Sequence, residues 1–451
     1  MEKIFSYVDQ NLNRFMEELF VLLRQPSISA RWEGVEECSK LLVRMMEKTG
    51  IKPRVLPMGG KRNPPLIYGE LLNPEAKRTL LIYGHFDVQP PEPLEAWDSP
   101  PFEPTLRDGR IYGRGTADNK GQFFAHFKAV ESVLKINGRL PINVKFLLDP
   151  EEEVGSPSLN GFCREHKDLF AADMALNSDG PMDPSGRPRL SFGNRGVLYV
   201  EVNARGANTD LHSGNFGGPI PNPAWRLVEF LSTLRKPDGT VAIEGFYDHI
   251  VPPTPEEREM MAKIPFDEKK FKEKYGLKKF TPPEEVSYME KLMFRPTLNI
   301  AGFTSGYGGP GSKTVLPCKA TLKMDMRLVV NQTPEDIYEK YVRHMKKHGF
   351  DDLEVLKLNA YAPSRTSVDH PLAPKFAEAI RQGFGQKPVL IPAGGGSFPG
   401  AAIRSILDIP ILSIPYGNAD ENNHAPNENL AIDCFKGGIR TTAALLYLLA
   451  K

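Results

Sequence analysis

Cysteine is scarce in this chain: there are four in 451 residues, Cys38, Cys163, Cys318 and Cys434, far apart and without a Cys-x-x-Cys pair. That argues against a disulfide framework and suits reduced thiols in a reducing compartment. An excess of charge of one sign is also missing. Lys+Arg 57 against Asp+Glu 56 leaves a net charge of +1, so no basic footprint points to nucleic acid or an anionic membrane. A small, roughly neutral substrate fits better. No apolar run reaches spanning length, and the opening MEKIFSYVDQNLNRFMEELF sets acidic residues among apolar ones at helical spacing, unlike a signal peptide. Internal repeats and low-complexity tracts are absent too, and the Gly-rich GRGTADNKG lacks the GxGxxG spacing of a dinucleotide loop, which disfavours a nucleotide-binding oxidoreductase. The expectation from these absences is a soluble cytoplasmic protein with no nucleic-acid or membrane partner.

What is present is an alternation. Over the first 200 residues helical patterns such as FMEELFVLLRQ and FFAHFKAVESVLK are followed by short apolar runs, TLLIYGHFD, INVKFLLDP and DMALNSDG. Such alternation reads as βαβ units around a largely parallel sheet. From about residue 200 the texture shifts to longer strands, VLYVEVNARG and TVLPCKATLKMDMRLV, on either side of a charge-dense stretch, PEEREMMAKIPFDEKKFKEKYGLKKF, read as a solvated helix face. The last ninety residues return to the first texture and end in an amphipathic helix, LAIDCFKGGIRTTAALLYLLAK. The length suits two domains. The expected division is one α/β domain, 1–200 plus 362–451, interrupted by an α+β insert, 201–361.

Open α/β sheets bind ligands outside the carboxyl ends of their strands. Three strands here end in GHFD, LLDPEEEVGS and NSDG. In the first, His85 and Asp87 alternate to the same side just where the chain leaves the sheet. Elsewhere YGRGTADNKG carries Asp118 in a Gly-rich turn, and NADENNHAPNE carries His424. Imidazoles and carboxylates hold hard and borderline ions, and the set His85, Asp118, Glu152 or Glu153, Asp179 and His424 is large enough for two. A pair of ions about 3.5 to 4 Å apart clamps the attacking and leaving oxygens of a hydrolysis. Singly, each residue has a plainer explanation: a glycine turn, a solvated helix start favoured by the helix dipole, a loop histidine. Their order and company favour the metal reading.

Five motifs, GHFDVQP, GRGTADNKG, EEEVGS, LHSG and NNHAPNE, resemble the aminoacylase, carboxypeptidase G and carnosine dipeptidase family of two-metal peptidases. The resemblance covers nearly the whole chain, and GSKTVLP with MRLVVNQTPE is most similar to the cytosolic dipeptidase branch. It implies a zinc-peptidase-like catalytic domain with a mixed, largely parallel sheet, an inserted α+β lid and dimerisation domain, and a homodimer formed through that insert. Carried over, it implies that Asp118 bridges two divalent ions, with His85 and Asp179 completing one site and Glu153 and His424 the other. Glu152 would be the general base that lets a bridging hydroxide attack the carbonyl. Asp87 would orient the ligating His85. His212 would reach across the dimer to stabilise the oxyanion. Arg327, Thr314 and Ser397 would bind the substrate, the guanidinium and the AGGGSFPG loop suiting a terminal carboxylate.

The chain departs from the family at Asn119, where many members are acidic, at a junction that is commonly a cis peptide. His126 is expected to pack on the helix after Asp118, and His344 and His348 to lie on a solvated helix face. The expected cofactor is zinc, then manganese or cobalt. The leading function is metal-dependent hydrolysis of small unblocked dipeptides. Deacylation of N-acyl amino acids is the alternative, and a catalytically silent scaffold is disfavoured by the intact Glu152 and ligand set.

Overall fold

Side chains of the strand Thr79–His85 alternate between two apolar layers: Leu80 and Ile82 enter one core, Leu81 and Tyr83 the other. A strand buried on both faces must lie inside a sheet covered by helices on both sides. The computed structural model, which describes residues 1–283 and 285–451, shows this arrangement. Eight strands form a mixed sheet in the order Lys52–Pro57, Pro65–Leu71, Asn143–Asp149, Thr79–His85, Met174–Asn177, Ile411–Ser413, Arg189–Ser191 and Val389–Ile391. The central strands run parallel, and the strands Lys52–Pro57 and Pro65–Leu71 run antiparallel to their neighbours. Helices Glu2–Arg24, Lys120–Asn137, Ala373–Phe384 and Ile432–Ala450 cover one face, while the short helix Leu159–Glu165 and the segment around Ile403 cover the other.

A second sheet, antiparallel throughout, has the order Thr297–Ser305, Lys319–Leu328, Gly196–Arg205 and Glu354–Tyr361. Its period of two is visible in the buried sets Leu198, Val200, Val202 and Leu322, Met324, Met326, which pack under helices Pro223–Thr233 and Pro334–Lys347. The strands of the first sheet therefore come from 52–191 and 389–413, and those of the second from 196–361.

Three elements differ from expectation. The C-terminal helix is buried around much of its circumference, because it packs against three other helices rather than one. Close approach there requires glycine: a Cβ on Gly383 would lie 2.0 Å from Thr441 Oγ1, and one on Gly437 2.3 Å from the Phe384 ring. His344 is buried, not solvated, with Nε2 at 3.0 Å from Thr233 Oγ1 on the neighbouring helix. The charge-dense stretch hides an apolar seam: Met261 and Ile264, with Met293 and Phe294, pack on Val389 and Ile391 of the first sheet and on Ala393 just beyond it. Mixed surface charge masked that contact.

Candidate metal centre and active site

Register brings the ligands together. His85 pairs with Asp149 and Tyr83 with Asn177 across adjacent parallel strands, so three strands end level with one another. The turns that leave them carry His85 and Asp87, Glu152 and Glu153, and Asp179. The loop entering helix Lys120–Asn137 adds Asp118, and the loop before strand Asn429–Ala431 adds His424, whose backbone lies in the left-handed region at φ 57°.

Two groups result, His85 with Asp118 and Asp179, and Asp118 with Glu153 and His424, each with ligand atoms within 4.8 Å of one another. His85 Nε2 lies 3.0 Å from Asp118 Oδ1 and 3.6 Å from Asp179 Oδ2. His424 Nε2 lies 3.0 Å from Asp118 Oδ2 and 3.2 Å from Glu153 Oε2. The two oxygens of Asp118 thus face different groups. His85 Nε2 is buried and makes no hydrogen bond, although carboxylate oxygens converge on it. An orphaned ring nitrogen among acids is the donor set of a cation site. The residues present fit two divalent ions.

Protonation equilibria reflect this concentration of acid. Burial, with the Asp118 charge, pushes Glu153 up to about 7. Burial also raises Glu152 well above the usual carboxylate range, and neighbouring carboxylates add to the rise. Hydrogen bonds to Asp118 and Glu153 raise His424 to about 11. His85 rises as well, since Asp118, Asp179 and Asp87 outweigh a burial that alone would lower it. Cations placed among these acids would favour their charged forms.

Asp87 does two things at once. Its Oδ1 lies 3.3 Å from His85 Nδ1, and the same ring nitrogen is 3.1 Å from the Asp87 carbonyl. Its carboxylate also accepts the backbone N–H groups of Glu152 at 3.1 Å and Glu153 at 3.0 Å. One buried acid thereby orients a histidine and caps the turn carrying both glutamates. Asn119 bridges strands: its Oδ1 accepts from His85 N at 3.4 Å and its Nδ2 donates to the Ser178 carbonyl at 2.6 Å. The Asp118–Asn119 peptide is cis.

The remaining sequence candidates form two pairs. Arg327 Nη1 donates to Ser397 Oγ at 3.0 Å, joining the second sheet to the Gly-rich loop of the first unit. His212 and Thr314, both exposed, meet where the short strands Leu211–His212 and Val315–Leu316 pair, with Thr314 Oγ1 3.4 Å from His212 Nε2. Among the described residues, neither makes a hydrogen bond or ion pair to the five-ligand cluster.

Several participants escaped the sequence reading. Gln89 Nε2 donates to Glu153 Oε2 at 2.8 Å, Tyr361 Oη donates to the Glu152 carbonyl at 2.8 Å, and Arg195 holds the Gly395 carbonyl through Nε and Nη2 at 3.1 and 3.0 Å. Gln89, inside the quoted motif GHFDVQP, was the one that proximity to a ligand could have flagged.

Residues 81–448 match the model of peptidase family M20/M25/M40. The chain belongs to that family. Its metallopeptidase members use divalent metals, in keeping with the two ligand groups. Among curated relatives, the Cys-Gly metallodipeptidase dug1 of Schizosaccharomyces pombe is 30% identical over 468 residues, covering 100% of this chain and 98% of the relative. The Beta-Ala-His dipeptidase of Rattus norvegicus is 29% identical over 472 residues, covering 100% and 96%. Among solved structures, the M20 family metallo-carboxypeptidase Sso-CP2 of Sulfolobus solfataricus superposes with a TM-score of 0.90 at 37% identity, over 97% of this chain and 99% of that one. The M20 peptidase fold, with its mixed, largely parallel main sheet, is therefore the fold of this chain, which is a metallopeptidase.

Proposed function

We propose that this metallopeptidase hydrolyses the peptide bond of small, unblocked dipeptides. The observation that carries the reading is the division of the Asp118 oxygens between two ligand groups beside Glu152. Support also comes from full-length similarity to relatives named as dipeptidases.

In this reading His85, Asp118 and Asp179 hold one ion, and Asp118, Glu153 and His424 the other, zinc first and manganese or cobalt next. Such a pair, when bound, acidifies water and polarises a carbonyl. Arg327 and Ser397, already hydrogen-bonded to each other, hold the free carboxylate of the substrate, with Thr314 beside it. Glu152 takes the proton of the attacking water and delivers it to the leaving amine. His212 donates to the oxyanion from the second subunit of a homodimer. Residues 1–200 plus 362–451 act as the catalytic domain and 201–361 as the lid and dimerisation domain. Four unpaired thiols support a cytoplasmic location.

The test is a release assay on metal-reconstituted protein, offering unblocked dipeptides and N-acetyl amino acids side by side with a chelator control. Chelator-sensitive release from dipeptides is expected. Release from the acylated set alone would make the protein a deacylase, and silence on both with metal bound would make it a scaffold.

A further inference from the structure

Glu428 is fully buried and lies four residues beyond His424. Its carboxylate meets four donors. Oε1 accepts the backbone N–H groups of Ala117 at 2.9 Å and Asp118 at 3.0 Å, and Oε2 accepts Gly115 N at 3.0 Å and Arg114 Nη1 at 2.8 Å. The Glu428 carbonyl accepts Gly113 N at 3.0 Å as well. Arg114, also buried, is fixed in turn by the Pro90 carbonyl at 3.3 Å and by the face of Trp97. The whole turn that presents Asp118 is therefore wrapped around one side chain supplied from 310 residues away.

We propose that Glu428 is a positioning residue that preforms the Asp118 turn, so that both ligand groups are assembled before any ion arrives. The inference rests on the metal reading of Asp118 given above. A turn whose donors point inward to a fixed carboxylate has few other conformations, and its ligand side chain is aimed outward by default. Because Asp118 serves both groups, loosening the turn weakens both ions together, whereas losing Asp179 or Glu153 touches one group. Charge alone does not explain the arrangement, since a single arginine would balance Glu428 without three backbone amides.

Glu428→Gln tests this, because an amide keeps one acceptor oxygen and turns a nitrogen toward Arg114 Nη1 and Gly115 N, breaking half of the cradle. Glu428→Asp, one methylene shorter, is the second variant. Zinc affinity is measured by competition with a chromophoric chelator, together with apo-protein melting and the KM for a dipeptide at saturating zinc. The expected result is a loss of roughly 10- to 100-fold in affinity at both sites, with KM unchanged. A variant that melts lower yet binds two zinc ions with wild-type affinity would overturn the inference and leave the metal reading intact. Failure of the wild-type chain to bind zinc would instead overturn the metal reading itself. If neither variant folds, hydrogen exchange on the wild-type chain decides: the amides of Gly115, Ala117 and Asp118 are expected to stay protected after chelation. Loss of that protection on chelation would overturn the inference.

Discussion

At the scale of the residue, Asp118 joins the two candidate ligand groups, since its two oxygens face different histidines. Asp118→Ala is therefore expected to lose both ions, and Asp179→Ala to lose one and keep the other, as read by metal content after dialysis. Glu152 makes a different contribution: it lies in neither ligand group but is half-buried next to Glu153, on a turn held by Asp87 from one side and Tyr361 from the other. Tyr361→Phe removes only the hydroxyl that reaches the Glu152 carbonyl. It should cost about 1 kcal/mol of stability and lower kcat a few-fold with KM and metal content unchanged. An unchanged kcat would show that the turn needs no support from that side. Tyr361 was illegible in the sequence because it lies 209 residues from its partner and reaches a backbone atom. The residues of the two candidate ligand groups could be singled out in the sequence because each ends a strand or fills a short motif whose company gives it meaning.

At the scale of the element, the helix Lys120–Asn137 is buried nearly all round, and its His126 shows what that costs. Burial pulls His126 down to about 3 from 6.5, with Nδ1 at 2.8 Å from Thr442 Oγ1. Folded, the ring is neutral; unfolded, it binds a proton below pH 6.5. Its contribution to stability is thus complete above that pH and is lost as the pH falls toward 3, with a slope of up to about 1.4 kcal/mol per pH unit. His126→Gln should flatten the wild-type decline between pH 6.5 and 5, measured by denaturant unfolding at each pH. Identical slopes in the two proteins would refute it. That His126 packs on this helix was readable, because the run FFAHFKAV is apolar on every face. The burial of His344 was not, since flanking lysines dominate the local pattern while the apolar partner helix lies a hundred residues earlier. The seam of Met261 and Ile264 was hidden for the same reason: which face of a mixed-charge helix turns inward is decided by a distant strand.

At the scale of the whole molecule, alternating texture pointed to a largely parallel α/β sheet, and the main sheet is mixed and largely parallel, with strands from both the early and the late part of the chain. Strand order was not readable, because the strands Val389–Ile391 and Ile411–Ser413 join the sheet from the far end of the chain. In the proposed reading the metal ligands tie these pieces together, since the two candidate groups draw on residues from 85 through 424. Metal should accordingly stabilise the entire first unit: at a free concentration a hundred times the dissociation constant, one site adds about 2.7 kcal/mol. Chelation is expected to lower the melting temperature, and readdition of metal to restore it. The most direct test of the two-metal peptidase reading is dipeptide turnover by Glu152→Ala with its metal content measured on the same sample. Two ions retained and turnover abolished is the expected result; turnover near wild type with both ions in place would contradict the assignment of Glu152 as the base.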